Sequence, residues 1–190
     1  MEKINLKSIF NQLRVNAEWF GIRKVYESNT YRMIRDGNPQ ANATDISHGV
    51  MVEVLKNGQF AYAASSDMSF SSIQEAIDQA TIIAKSSANN PLYNFSKNVR
   101  PNNKGNYKSD RNKTHLPLKE INDILFKSYE SLKVSDKIVS ASAMARITET
   151  NYQYLSSDGA DIEQDFLIIG SSFDAISQDK GITQRRTDNG

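Results

Sequence analysis

The chemistry open to this 190-residue sequence starts from two histidines, His48 and His115, and from carboxylates set among apolar residues. There are no cysteines, which excludes thiolate ligands and disulfides. Two histidines are too few for a multi-histidine metal site, although they could join carboxylates. His48 alternates with Ile46, Val50, Val52 and Val54 on one face of a predicted strand, where a satisfied buried or edge histidine is the ordinary reading. His115 closes a polar stretch just before a helix. Glu163 and Asp165 alternate with Ile162, Gln164 and Phe166; this is a polar strand face that could hold a carboxylate pair. Asp36 and Asp158 each precede a glycine, so a turn role suffices for them. The metalloprotease pattern His-Glu-x-x-His, its longer form His-Glu-x-x-x-His, Cys-x-x-Cys, a glycine-rich phosphate loop and a Gly-x-Ser-x-Gly elbow are all absent. No residue is assigned a catalytic, cofactor-binding or metal-binding role, and peptide-binding residues are left unknown.

A second chemistry lies in the stretch from Lys97 to Lys113. It carries Lys97, Arg100, Lys104, Lys108, Arg111 and Lys113 against a single acid, Asp110. Such an excess could touch phosphates, and Tyr93, Phe95 and Tyr107 could stack on bases. No RNA-binding motif orders them. A solvated linker, with the aromatics pinning it to the body, reads the same residues without a ligand. The whole chain has a formal net charge of +1 and 24% charged residues, which gives no global bias toward nucleic acid or an anionic membrane.

The elements that must position these residues read as follows. Leu6, Ile9, Phe10 and Leu13 have helical spacing. Strands are expected at Glu18 to Glu27, Tyr31 to Arg35, Ile46 to Leu55 and Gln59 to Ala64, with Gly21 weakening the first. Asp36-Gly37 and Asn57-Gly58 supply the turns, the second a dipeptide suited to a tight hairpin. Ser72 and Glu75 have capping-box spacing ahead of a helix striped by Ile73, Ala76, Ile77, Ala80 and Ala84. Leu118, Ile121, Leu125, Tyr129 and Leu132 mark another helix. Strands then follow at Lys137 to Thr148, Tyr152 to Ser156, Glu163 to Ile176 and Gly181 to Arg186. The expected core is Ile46, Val50, Val52, Val54, Phe60, Ile73, Ile77, Ala80, Leu125, Val139, Ala141, Phe166 and Ile168.

The second half repeats the order of the first, and Asn29 to Gly37 can be laid on Asn151 to Gly159. The alternative is two antiparallel meanders that merely share turn chemistry. The fold class is α+β, antiparallel sheets with packed helices in two similar helix-plus-meander units. The expected division is an N-terminal unit at 1–88, a polar basic linker or long loop at 89–117, and a second, incomplete unit at 118–190. No run approaches the ~20 apolar residues that span a bilayer, and the N-terminus lacks a secretory pattern; a cytoplasmic location is expected.

From about Ala17 to Ala88 the chain resembles the N-terminal region of the TldD/PmbA family, also called modulators of DNA gyrase. The residues carrying the likeness are Ala17 to Arg23 (AEWFGIR), Met33 to Gly37 (MIRDG), His48 to Val54 (HGVMVEV), Asn57 to Ala63 (NGQFAYA) and Ser66 to Ser69 (SDMS), with the helix of Ala76, Ala80 and Ala84. Family members similarly carry a strand ending in R-x-G, a G-x-G-V-R-V strand, a G-x-x-G-F-A hairpin and an alanine-rich helix. Met51 and Glu53 replace more usual residues here, and Ser47-His48-Gly49 replaces the common x-G-x-G lead. Further on, Tyr154 to Gly159 (YLSSDG) resembles the family's N-S-x-G turn, within a second half, 118–190, that looks like its following region.

The resemblance implies proteolysis. TldD-type members are zinc metallopeptidases with a His-Glu-x-x-x-His helix; they pair with metal-free PmbA/TldE-type subunits around a chamber for unfolded peptides. None of those metal ligands has a match in this chain, which stops at Asp188-Asn189-Gly190 within a predicted hairpin and so reads as a fragment. The implied role is the N-terminal scaffold and substrate-chamber region, inactive alone and without a cofactor of its own, in a homo- or heterodimer with a TldD/PmbA-type subunit. Val50 to Leu55 and Glu163 to Ile169 would be sheet framework. The alternatives are a non-catalytic partner or dimerisation module and, behind it, a DNA- or gyrase-binding module.

Overall fold

The computed structural model describes residues 5–100, 102–109 and 117–190. Helix α1 is Leu6–Phe10; strands β1 (Trp19–Arg35), β2 (Asn38–Lys56) and β3 (Gln59–Ser65) follow, then helix α2 (Phe70–Ser87). A 3-10 turn at Lys97–Val99 precedes β4 (Lys104–Lys108). Helix α3 (Leu118–Leu132) leads into β5 (Ile138–Ser156), β6 (Asp161–Asp179) and β7 (Ile182–Asn189). The seven strands form one sheet in the order β3-β2-β1-β5-β6-β4, with β7 also on β6. β4 runs parallel to β6, whereas β2–β3 and β6–β7 are antiparallel. This is the expected α+β class, with a helix-then-three-strand order that occurs twice.

Turn chemistry sets the hairpins. Asp36-Gly37, Asn57-Gly58 and Lys180-Gly181 all have positive φ at both residues, the mirror-image turn whose twist matches antiparallel strands. Lys56 pairs with Gln59 and Asp179 with Ile182 across two of these two-residue loops. The strands are longer than their apolar patterns. The segments read as Glu18 to Glu27 and Tyr31 to Arg35 are one strand, β1, and those on either side of Glu149 merge in β5. Polar residues such as Ser28, Asn29 and Thr30 interrupt the hydrophobic alternation but not the backbone ladder. The stretch 89–117 contains the 3-10 turn and β4, whose exposed residues offer no hydrophobic signal.

Backbone contacts group the chain into two units built from interleaved segments. Unit 1 is Met1–Glu27, Ser47–Lys108 and Thr150–Asp165; unit 2 is Ser28–Ile46, Ser109–Glu149 and Phe166–Gly190. In unit 1 the stripe of α2, Ile73, Ala76, Ile77 and Ala80, packs with Ile22, Val50, Val52, Val54, Leu155 and Leu6 of α1. Full burial of each isoleucine contributes about 2 kcal/mol, and the alanines let the helix approach the sheet closely. In unit 2, Ile121, Leu125 and Tyr129 of α3 pack with Ile34, Ala141, Ala143 and Ala145.

Five expected core residues lie outside these cores. Ile46, Val139 and Ile168 are 58%, 55% and 58% exposed. Ile46 and Val139 continue a strand alternation beyond its buried stretch, whereas Ile168 alternates with Leu167 and Ile169, the β6 residues that stand beside α3. Phe60 and Phe166 are half-buried. The start of α2 also differs from the capping-box reading. Its cap is Ser69, whose side chain accepts from the Ser72 amide, while Asp67 accepts from the Ser69 amide at 2.9 Å and the Ser72 hydroxyl at 2.7 Å. Ser72 therefore serves inside the first turn.

Candidate functional site

β2 is buried on both faces near its C-terminal end: Val52 and Val54 face α2, and Glu53 and Leu55 point the other way. On that opposite face of unit 1, period-two spacing gathers residues from five strands. Arg23 and Val25 come from β1, Met51 and Glu53 from β2, Tyr62 from β3, Tyr152 and Tyr154 from β5, and Ile162 and Gln164 from β6. Together with Arg100 they line an open trough of about 780 Å³.

Glu53 is 7% exposed, so its charge needs a partner. Arg100 supplies it. The Arg100 guanidinium donates from Nε at 2.8 Å and from a terminal nitrogen to the same carboxylate oxygen, and that nitrogen also donates to the Tyr62 hydroxyl at 2.9 Å. Glu53 and Tyr62 are cross-strand partners in the β2–β3 register, so one guanidinium bridges two strands. The guanidinium also lies over the Phe60 ring, 4.4 Å from its centroid. Hydrogen bonding to Glu53 is the largest influence on Arg100 and raises its pKa further.

The segment that delivers Arg100 is tied down. The Phe95 amide donates to the Gly58 carbonyl at 2.8 Å, and the Gln59 side-chain amide donates to the Tyr93 carbonyl at 2.7 Å. Trp19, Phe60, Phe95 and Tyr93 form a chain of ring contacts, with centroid separations of 5.8, 5.6 and 4.9 Å. Tyr93 and Phe95 thus pin the loop to the hairpin.

Gly21 explains how Tyr154 reaches the trough. A Cβ at Gly21 would lie 2.8 Å from the Trp19 ring and 3.0 Å from the Tyr154 hydroxyl, so only glycine lets that ring cross β1. Burial, then the negative charge of Glu53, pushes the Tyr154 phenol up to about 12, against the opposing pull of Arg100 and Arg23. Tyr62 is also raised, first by burial and then by its hydrogen bond with Glu53. Both phenols stay protonated donors near neutral pH. Arg23 lies 6.0 Å from the Tyr154 ring centroid and, among the described residues, has no carboxylate partner.

The residues singled out from sequence are scattered. His48 is exposed on β2, and His115 lies outside the described residues. Glu163 and Asp165 sit half-buried along β6, register partners of Asn106 and Lys108. Asp36 takes the positive φ of the β1–β2 turn, and its carboxylate also accepts from the Ala141 amide at 2.9 Å and the Ser140 hydroxyl at 3.1 Å, tying that turn to β5. Asp158 pairs with Lys97 at 3.4 Å. Of the basic stretch, Lys97, Arg100, Lys104 and Lys108 are described; Arg111 and Lys113 are not. Sequence reasoning missed the trough, although one signal was present: a lone acid in the run Val50 to Leu55 (VMVEVL) demands a cation.

Among the described residues no three His, Asp or Glu side chains gather as a metal site would need. Among the described residues no helix is long and apolar enough to cross a membrane.

Three comparisons bear on kinship. Comparison with curated proteins finds no match. Among solved structures, a candidate modulator of a DNA gyrase from Thermotoga maritima superposes with a TM-score of 0.66 at 16% identity, over 90% of this chain and 38% of that one. A candidate modulator of DNA gyrase from Bacteroides thetaiotaomicron gives 0.69 at 15% identity, over 96% and 42%. TldE from Thermococcus kodakarensis gives 0.63 at 14% identity, over 91% and 39%. These likenesses establish a shared fold, and the chain spans about two fifths of each of those proteins. Residues 21–84 match the family model for PmbA/TldA metallopeptidase domain 1. At residues 21–84, therefore, this chain carries the first domain of the PmbA/TldD family.

Proposed function

We propose that this chain is the N-terminal scaffold and substrate-chamber region of a PmbA/TldD-type metallopeptidase that acts on unfolded peptides in the cytoplasm. The observation that carries this reading is the domain-1 match over residues 21–84, in a chain two fifths as long as its structural relatives. Zinc is the metal this family implies. The described residues do not fit it, because they bring no set of three ligands together, and no step of the proposal runs through a metal held by this chain. Its own contribution is framework and binding surface, with bond cleavage assigned to a catalytic domain elsewhere.

A second reading is a non-catalytic partner subunit that works by dimerisation; the similarity to TldE favours it. One experiment tests both. The purified chain is assayed for zinc and for cleavage of a quenched unfolded peptide, alone and mixed with a TldD-type subunit. Neither zinc nor cleavage is expected alone, and a larger species is expected in the mixture. Stoichiometric zinc, or cleavage by the chain alone after repurification, overturns the scaffold reading. Cleavage by the mixed pair alone, above that of the catalytic subunit, selects the partner role.

A further inference from the structure

We propose that the unit 1 trough binds the C-terminal end of a peptide, with the terminal carboxylate on Arg23; this rests on the peptide-handling function proposed above. The charge balance points to such a ligand. The charged side chains lining the trough are Arg23, Arg100 and Glu53. Arg100 and Glu53 neutralise one another, leaving the Arg23 guanidinium, among the described residues of the lining, without a paired carboxylate. One net positive charge suits a monoanion, and a guanidinium fork matches the two oxygens of a carboxylate. The Tyr154 hydroxyl, which among the described residues makes no hydrogen bond, and the Gln164 amide add neutral donors on the same face.

The remaining lining fits a peptide better than a small anion. Val25, Met51 and Ile162 are apolar, and Tyr152 is an aromatic wall whose hydroxyl donates to Glu27 at 3.4 Å. A volume of about 780 Å³ exceeds what a free carboxylate or phosphate fills and is in the range of sites for larger ligands. The pinned loop supplies the direction. Arg100, stacked on Phe60 and bonded to Glu53 of β2 and Tyr62 of β3, sits at the β3 end of the lining. A chain running past that end would have to break the buried ion pair, whereas a chain terminus stops short of it.

The test titrates the purified chain with an acetylated tripeptide ending in phenylalanine, as the free acid and as the amide. Heat of binding is the readout, supported by the fluorescence of Trp19, the sole tryptophan, which borders Gly21 and Tyr154. The acid should bind at least about tenfold tighter than the amide, as expected for loss of a charge-assisted bidentate pair. Arg23 is exposed, so Arg23→Gln should fold normally and should erase the difference, while Arg23→Lys should retain part of it. Equal binding of acid and amide, absence of binding at millimolar peptide, or an acid preference that survives Arg23→Gln overturns the proposal. An amide-ended peptide with an internal aspartate that binds as tightly as the acid overturns the chain-end assignment. Inorganic phosphate that displaces the acid at equal concentration does the same for the carboxylate. Because binding is read on the chain alone, its failure is separate from a failure to find peptidase activity in a mixed pair.

Discussion

Arg100 is the residue on which the trough's geometry turns. Its side chain is 28% exposed while that of Glu53 is 9% exposed, so the pair is asymmetric: the acid is buried and the base forms its lid. Removing the base leaves a carboxylate in a site that water reaches poorly. A fully buried pair broken this way costs about 3–5 kcal/mol, and partial exposure of Arg100 reduces that. Arg100→Met keeps the stem over Phe60 and removes the charge. We expect it to lower stability by about 2 kcal/mol, read as a shift of the urea midpoint. The double variant Arg100→Met with Glu53→Gln should recover about half, because a neutral amide is cheaper to bury than a carboxylate. No shift in the single variant would mean that solvent already screens Glu53. The acid half of this pair was legible as an anomaly in an apolar run. Its base was not, because Arg100 comes from a stretch whose asparagines and prolines read as linker, and only the pinned rings of Phe60 and Phe95 reveal a folded strap.

Among the elements, legibility followed local chemistry. Asp36-Gly37, Asn57-Gly58 and Lys180-Gly181 announce hairpins because few residues tolerate left-handed backbone, and all three adopt it. The stripes of α2 and α3 announce helices because burial has a 3.6-residue period. β4 announces nothing: Lys104 to Lys108 is exposed throughout and is held by backbone pairing to β6. The join at Ser28 to Thr30 in β1 is hidden for the same reason. The beginning of α2 is an intermediate case, since several serines could cap it and the geometry selects Ser69. Ser69 also bridges Asp67 to the helix through its own amide and hydroxyl, at 2.9 and 3.0 Å. The Ser72 hydroxyl and then the Ser69 amide hold the Asp67 carboxyl below its ordinary pKa. Ser69→Ala removes the acceptor for the Ser72 amide and should cost about 1 kcal/mol, measured by thermal or urea unfolding, whereas Ser71→Ala, the second residue after the cap, should cost much less. Equal losses from the two changes would place the cap elsewhere.

For the molecule as a whole, the open alternative is binding to DNA, suggested by the basic stretch. Net charge alone does not decide it, because +1 overall can hide a local patch. The arrangement of acids does. Lys97 is paired with Asp158 and Arg100 with Glu53. Lys104 and Lys108 stand opposite Asp161 and Asp165 in the β4–β6 register, and Asp161 is also bound by Lys7 at 2.6 Å. Each described cation of the stretch therefore has an acid beside it, which weakens the potential a phosphate backbone would meet. Sequence order concealed this, since Asp158, Asp161 and Asp165 lie some sixty residues beyond the lysines they accompany. We expect no saturable binding of a duplex at low salt by fluorescence anisotropy, and no change on Lys104→Glu with Lys108→Glu. A protein that contacts six or more phosphates shows affinity falling by roughly three orders of magnitude between low and moderate salt. Binding with that steep dependence, abolished by the double reversal, would make the β4 strand a nucleic-acid surface and displace the peptide-handling reading.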